Sequence, residues 1–548
     1  MKGQWRPIPP ATWRPTRMLA RLAPLAVLIG WISACPTPEA PPNLLWLGDA
    51  DRTMWGRAGE GAVGAALTAD DQGRVVIGAP RTPSLDGTAP QVGAVFAVGS
   101  PAELTHDTPL DAESSTDVHQ RHGAQPYASA GFATAFVGDL DGSGSAELAL
   151  GLAGAPTADG QEAGGGVWIY IDFTAADLGQ REPDGTLAGD QGHLYLGYAL
   201  AGGADVTADG LDDLLIGAPE RHGQGVYIDE DNGAGRVFLV AGREDLASDL
   251  AAATSPGQLA GALEFVGEAL GDGLGMAVAS LAHAGAAGLA DAAVVLGAPY
   301  SSRNGNLAGT AYLCPAGDWG ALDGAVPVGG ECAALLGEPG EYAGYAVADA
   351  GDLDGSGMAD LLIGAPQRAA DELAAGAGAV YLLIDPLVDL ERRTANLASE
   401  AHTTFLGALD GDALGFAVAG AGDLDRDGHD DLLLGAPQGA LLGEEVYKGA
   451  AYLFMGRSGG FDAEVPVSTA TIQLCGERVD HGVGYTVSDL AGYSVAGGGG
   501  WAGDPDDRFI AVAAPHRDND VHGAEEWSDA GIVYLLHDQL EPYLHADR

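Results

Sequence analysis

Three nine-residue stretches place oxygen-bearing side chains at all but the seventh of their alternate positions, or in one copy at all of them. They are Asp423, Asp425, Asp427, His429 and Asp431; Asp352, Asp354, Ser356, Met358 and Asp360; and Asp139, Asp141, Ser143, Ser145 and Glu147. A hard divalent cation such as calcium takes six to eight oxygens at about 2.3–2.6 Å. The first, third, fifth and ninth positions offer side-chain oxygen, and the seventh (His429, Met358, Ser145) a backbone carbonyl. Glycines between them let the chain turn tightly around an ion. A fourth stretch, Asp205, Thr207, Asp209, Leu211 and Asp213, repeats the frame with Thr207 in place of the third-position acid. Calcium is expected in the first three, with the fourth as a further candidate. A solvated acidic turn would use the same residue types, but alignment of the copies within a repeat argues against it.

The spacing opens like an EF-hand loop and then departs from it. The twelfth place, where that motif needs a bidentate glutamate, holds Leu434, Ile363 and Leu150. These lie in apolar runs, so the loops join strands rather than helices.

The elements that position the loops form a repeat. Gly-Ala-Pro recurs at Gly78, Gly154, Gly217, Gly297, Gly364 and Gly435, with an altered copy at Ala513-Ala514-Pro515. A short apolar run precedes each copy and a second follows. Runs of this length bounded by Gly, Pro and Asp are strands, and no window sustains a helical period. Units are also linked by an eight-residue glycine step: Gly123/Gly131, Gly189/Gly197, Gly267/Gly275, Gly407/Gly415 and Gly476/Gly484, with Gly337/Gly344 one shorter. Each unit reads as four strands, which for Gly344 to Gly407 are Tyr345–Ala350, Leu361–Ile363, Ala379–Ile384 and Thr403–Leu406.

The same step appears at the front as Gly48/Gly56, after Leu44–Leu47, while the last unit ends at its third strand, Gly531–Leu536. One orphan strand and one vacancy imply a closed ring, which removes open sheet edges. The expected fold is all-β: a seven-bladed β-propeller over 44–540, closed by an N-terminal strand, Leu44–Leu47, completing the last blade. A short tail, 541–548, would follow.

Gly344-Tyr345, the run from Asp352 to Gly355, and Gly364-Ala365-Pro366 resemble the FG-GAP repeat of the integrin α-subunit propeller and its bacterial relatives. The resemblance spans roughly Leu44 to Asp538. It implies seven blades, calcium held between first and second strands, and a role in adhesion. The first, fourth and seventh units lack the acidic loop.

Charge and the amino terminus bound the setting. Acidic residues number 77 against 25 basic, a formal net charge of −52. Such a field repels nucleic acid and anionic membrane surfaces and attracts cations. Lys2, Arg6, Arg14, Arg17 and Arg21 precede an apolar stretch, Leu22–Ile32, which ends Ile32-Ser33-Ala34-Cys35. This reads as an export signal over 1–35, starting at Met1 or Met18 and resembling a bacterial lipobox with Cys35 as the lipidated residue; plain cleavage near Ala34 is the alternative. Residues 36–43 make a proline-rich tether. Beyond the lipid anchor no membrane contact is expected, and localisation is to the cell envelope or outside it. In that oxidising setting Cys314 and Cys332 can pair, leaving Cys475 free.

No nucleophile elbow or zinc-helix motif occurs, and no catalytic residue is assigned. His106, His119 and His122, with Asp107, Asp111 and Asp117, match no familiar metal spacing. The expected function is surface binding of an extracellular protein or glycan through the loops joining second and third strands: Arg81–Gln91, Pro219–Gly233, Tyr300–Gly309 and His516–Asp529. These should face away from the metal loops. An enzyme cleaving extracellular polysaccharide or phosphoester, and an envelope scaffold, are the alternatives.

Overall fold

A computed structural model describes residues 44–56, 61–105, 107–110, 117–221, 233–282, 292–316, 319, 325–368, 376–389, 393–438, 449–476, 490–504, 507–516 and 531–544. Cys35, the tether, His106, Asp111, Gly484, Trp527 and most of two contact loops (222–232 and 517–530) lie outside the described residues. The chain divides after Pro42, and everything described belongs to the second unit.

That unit is a seven-bladed propeller of two four-stranded and five five-stranded sheets. Blade 5 runs Ala346–Gly351, Asp360–Ala365, Ala379–Leu383 and Thr403–Leu406, with neighbouring strands antiparallel. The other blades begin at Ala66, Ala130, Leu200, Ala277, Ala417 and Ser494. Second strands such as Asp360–Ala365 and Asp431–Ala436 are buried along their whole length. They are sandwiched by blades on both sides, hence unbroken apolar runs rather than alternation.

Glycine governs the centre of the ring. A Cβ added to Gly78, Gly151, Gly217, Gly297, Gly364 or Gly435 would fall 2.0–2.2 Å from the carbonyl oxygen of Gly131, Gly197, Gly275, Gly344, Gly415 or Gly492, the residue opening the next blade. The recurring motif glycine is therefore a backbone-to-backbone contact between blades. In blade 2 that place is held by Gly151, not the expected Gly154. In blade 7 the opening residue is Gly492, sixteen positions after Gly476.

The ring closes through an N-terminal strand, but not through Leu44–Leu47. Arg52–Trp55 is the fourth strand of blade 7, with Met54 opposite Val533. Leu44–Trp46 instead adds parallel to the outer strand Ile472–Cys475 of blade 6. The glycine step belongs one unit later, at Gly56/Gly64. Leu44–Trp46, the single turn Leu47–Asp49, and Arg52–Trp55 repeat the order of Thr394–Asn396, Leu397–Glu400 and Thr403–Leu406. Both segments lead into a fourth strand, and each starts by covering the outer edge of the preceding blade.

Parallel additions of this kind also cover blades 3, 4, 5 and 7. Blade 2 is covered by a helical connection, where Ala188 N–H donates to Thr254 O at 2.8 Å. On blade 1, the helix Asp177–Gln180 packs against Val118–His122. Unpaired edges invite association with other chains, and here each is shielded by its neighbour. The residues expected as a tail begin with a helical turn, Glu541–Leu544, whose Leu544 packs into the same cluster as Leu45 and Leu47.

Candidate metal centres

Each acidic loop grows from the end of a first strand. In blades 3, 5 and 6 that strand closes with a register shift, at Ala201/Ala204, Asp349/Gly351 and Gly420/Gly422. Such bulges re-aim the chain out of the ladder. In blade 2 the shift lies earlier, between Ala130 and Thr134.

One set of bonds then recurs. The first-position carboxylate accepts the N–H of the sixth residue: Gly144 to Asp139 Oδ2 at 3.0 Å, Gly210 to Asp205 Oδ2 at 2.8 Å, Gly357 to Asp352 Oδ2 at 2.7 Å and Gly428 to Asp423 Oδ2 at 2.9 Å. The fifth side chain accepts the N–H of the seventh residue: Ser145 to Ser143 Oγ, Leu211 to Asp209 Oδ1, Met358 to Ser356 Oγ and His429 to Asp427 Oδ1.

The ninth carboxylate is a strut within its own blade. Asp360 accepts Leu353 N–H at 2.9 Å and Asp385 N–H at 3.0 Å; Asp431 accepts Leu424 and Gly456 N–H, both at 2.8 Å. Glu147 and Asp213 do the same with Leu140 and Asp172, and with Val206 and Gly242. Thr207 adds its hydroxyl to Asp213 Oδ1 at 3.2 Å. Burial, reinforced by nearby carboxylates, pushes Glu147, Asp213 and Asp360 up to about 7 and Asp431 to about 8. Acids held this way lack a neighbouring positive charge.

Among the described residues, three groups of acids converge closely enough to share a cation. Asp139, Asp141 and Glu147; Asp352, Asp354 and Asp360; and Asp423, Asp425 and Asp427 each bring ligand oxygens within 4.8 Å of one another. In blade 6 the ninth acid, Asp431, stands outside the group. The blade 3 loop shares the backbone frame without forming such a group. The donor set, all oxygen, suits a hard cation. Asp352 Oδ1 is buried with no hydrogen-bond partner, a costly state for a carboxylate oxygen that a bound cation would relieve.

In blade 1, which lacks the acidic loop, an arginine occupies the junction with blade 2. Arg74 Nε donates to Asp70 Oδ2 at 2.6 Å, and its guanidinium donates to Phe173 O while stacking 4.8 Å from the Phe136 ring centroid.

On the opposite face the first strands begin, around the ring axis. Phe132, Tyr198, Met276, Tyr345, Phe416 and Tyr493 each follow an opening glycine and line its mouth; Phe132 and Tyr198 lie 4.7 Å apart, as do Phe416 and Tyr493. A groove of about 860 Å³ beside them is walled by Arg81, Tyr127, Tyr195, His193 and Arg221 and, among the described residues, holds one acid, Glu162. Tyr300, in an expected contact loop, is buried at 8% exposure and stacked edge-on to Tyr342, while Tyr127 is 59% exposed. Of the histidines, His119 and His122 lie in the outer strand of blade 1.

Sequence reasoning passed over Asp212 and Asp430, the eighth residues of the blade 3 and blade 6 loops, which reach into the neighbouring loop. The signal was present: the eighth place is Asp in those two and Ala146 or Ala359 in blades 2 and 5.

Comparison with known proteins points the same way. The FG-GAP repeat family model matches residues 196–240 and 414–454, the first three strands of blades 3 and 6 with their loops. Integrin alpha-5 of Xenopus laevis is 35% identical over 126 residues, 22% of this chain and 11% of that protein. Human integrin alpha-IIb is 35% identical over 122 residues, again 22% and 11%. Integrin alpha pat-2 of Caenorhabditis briggsae is 28% identical over 285 residues, half of this chain and 20% of that protein. The matches thus span only a tenth to a fifth of these relatives. With seven blades, the repeat match and these likenesses, the chain is an FG-GAP-repeat protein built as an integrin-α-like β-propeller.

Proposed function

We propose that this protein is an exported, calcium-stabilised propeller that binds an extracellular protein or glycan through the face opposite its metal loops. The observation that carries the calcium reading is the convergence of acids in three loops, one with the partnerless oxygen Asp352 Oδ1. Asp139, Asp141, Ser143 and Glu147; Asp352, Asp354, Ser356 and Asp360; and Asp423, Asp425, Asp427 and Asp431 would hold the ions, with the carbonyls of Ser145, Met358 and His429. Asp205, Thr207, Asp209, Leu211 and Asp213 would hold a fourth. The ion supplies charge neutralisation and no reaction step.

Binding is favoured by the open groove, whose described lining is aromatic and cationic with one acid, Glu162, where a glycosidase needs two facing carboxylates. Its aromatic walls and arginines suit a partner with both apolar and anionic groups. The likeness to integrin α chains supports adhesion. Export and a lipid anchor at Cys35 rest on the amino-terminal pattern alone. Tyr127→Ala with Tyr195→Ala should abolish capture of extracellular proteins or glycans that the parent retains, at unchanged melting temperature; retention of every ligand by the double variant would discard this face. Labelling with a radioactive fatty acid, lost in Cys35→Ser, tests the anchor.

A further inference from the structure

The acidic loops are joined in adjacent pairs. Asp212 of blade 3 reaches the first residue of the blade 2 loop: Asp139 N–H donates to Asp212 Oδ2 at 2.8 Å, and Asp212 N–H donates to Asp139 O at 3.0 Å. Asp430 of blade 6 does the same to blade 5, with Asp352 N–H to Asp430 Oδ2 at 2.8 Å and Asp430 N–H to Asp352 O at 3.0 Å. Both backbone groups of a first-position ligand residue are thus clasped by the neighbouring loop.

Three further contacts repeat at both junctions. A Cβ on Gly138 or Gly351, the residue preceding the loop, would fall 2.0 or 2.2 Å from the Oδ2 of Asp212 or Asp430, so only glycine admits the carboxylate. The seventh side chain packs over the fourth-position glycine of the preceding loop: Leu211 over Gly142, His429 over Gly355. Beyond the third strand, Arg243 N–H donates to Leu140 O at 2.7 Å and Arg457 N–H to Leu353 O at 3.1 Å. After blade 6 the joint changes: Arg508 of blade 7, not an aspartate, faces the corresponding glycine, Gly422.

We propose that the metal loops act as two coupled pairs, blade 2 with blade 3 and blade 5 with blade 6, in which filling one loop raises the affinity of its partner. The inference rests on the calcium reading above. The clasping aspartate sits between the seventh residue, whose carbonyl is a ligand, and the ninth acid. A cation that orders either loop therefore fixes the joint and pre-forms the other, and the coupling is reciprocal by linkage. Blade 3, whose acids do not converge as those of blade 2 do, gains most from an occupied neighbour.

Hydrogen–deuterium exchange, followed loop by loop during a calcium titration of the whole protein, reads this directly. In Asp139→Asn/Asp141→Asn, the midpoint for protection of residues 205–213 should rise roughly tenfold, while residues 352–360 and 423–431 keep theirs. Asp212→Ala, which leaves every ligand in place, should give the same shift. Asp430→Ala should do so for blades 5 and 6, an independent check if one variant folds poorly. Unmoved midpoints in partner loops, with loss confined to the loop that was altered, would overturn the coupling. If no loop of the parent protein slows its exchange up to about 10 mM calcium, beyond the usual range of extracellular modules, the calcium reading falls first and the coupling with it.

Discussion

Gly64 of the first blade lies against Ala513 of the last, so closely that a Cβ on Gly64 would stand 2.7 Å from the Ala513 Cβ. At the other six junctions two glycines meet in the same place. The ring is therefore sealed at its axis by the repeat itself, and at its rim by a strand from the opposite end of the chain.

Met54 is fully buried between blades 7 and 1. Met54→Ala should cost about 2–5 kcal/mol of stability, read as a lower denaturation midpoint in urea. Removal of residues 1–56 should expose the edge of Ile532–Leu536 and drive self-association, visible on size-exclusion chromatography. A truncated protein that stays monomeric with an unchanged midpoint would contradict this closure.

Chelation should loosen the metal loops. With excess chelator the melting temperature should fall and proteolytic cuts should appear within 139–147, 352–360 and 423–431, both reversed by added calcium. Identical melting and digestion in chelator and in calcium would exclude a structural ion.

Asp272, buried where blade 3 passes into blade 4, is pushed up to about 6, chiefly by burial and further by Glu268. Its folded value lies above the unfolded one, so its contribution is fully present below about pH 4 and is lost as pH rises through about 6. Asp272→Asn should therefore raise the melting temperature at pH 7.5 and change it little at pH 4. An equal effect at both would assign the gain to packing.

Arg74 and Asp70 are each 10% exposed and paired at the blade 1 to blade 2 junction. Arg74→Met leaves Asp70 without its cation and should cost about 3–5 kcal/mol. The double variant Arg74→Met/Asp70→Leu should recover much of that, because no unpaired charge remains. A single variant as stable as the parent would show that the pair does not hold this junction.

Short-range pattern made much of this legible. Apolar runs and recurring glycines counted seven blades because each blade must solve the same close approach at the axis. Alternating acids located the loops whose carboxylates converge, because such a turn is built from contiguous residues. The rim was harder. Gly48/Gly56 shares its spacing with Gly56/Gly64, and only pairing partners, Val533 for Met54 and Leu474 for Leu45, tell which strand fills blade 7.

What the amino-acid sequence determined alone is whatever lies within one turn or one strand: strand content, the glycine frame, the order of acids in each loop. What tertiary structure decided is whatever depends on which segments meet. The parallel outer strands, the packing of Tyr300 on Tyr342, and the reach of Asp212 and Asp430 into neighbouring loops 73 and 78 positions away all join segments distant in the chain. No local pattern encodes such a meeting, because the energy that selects it comes from surfaces that exist only once the ring has formed.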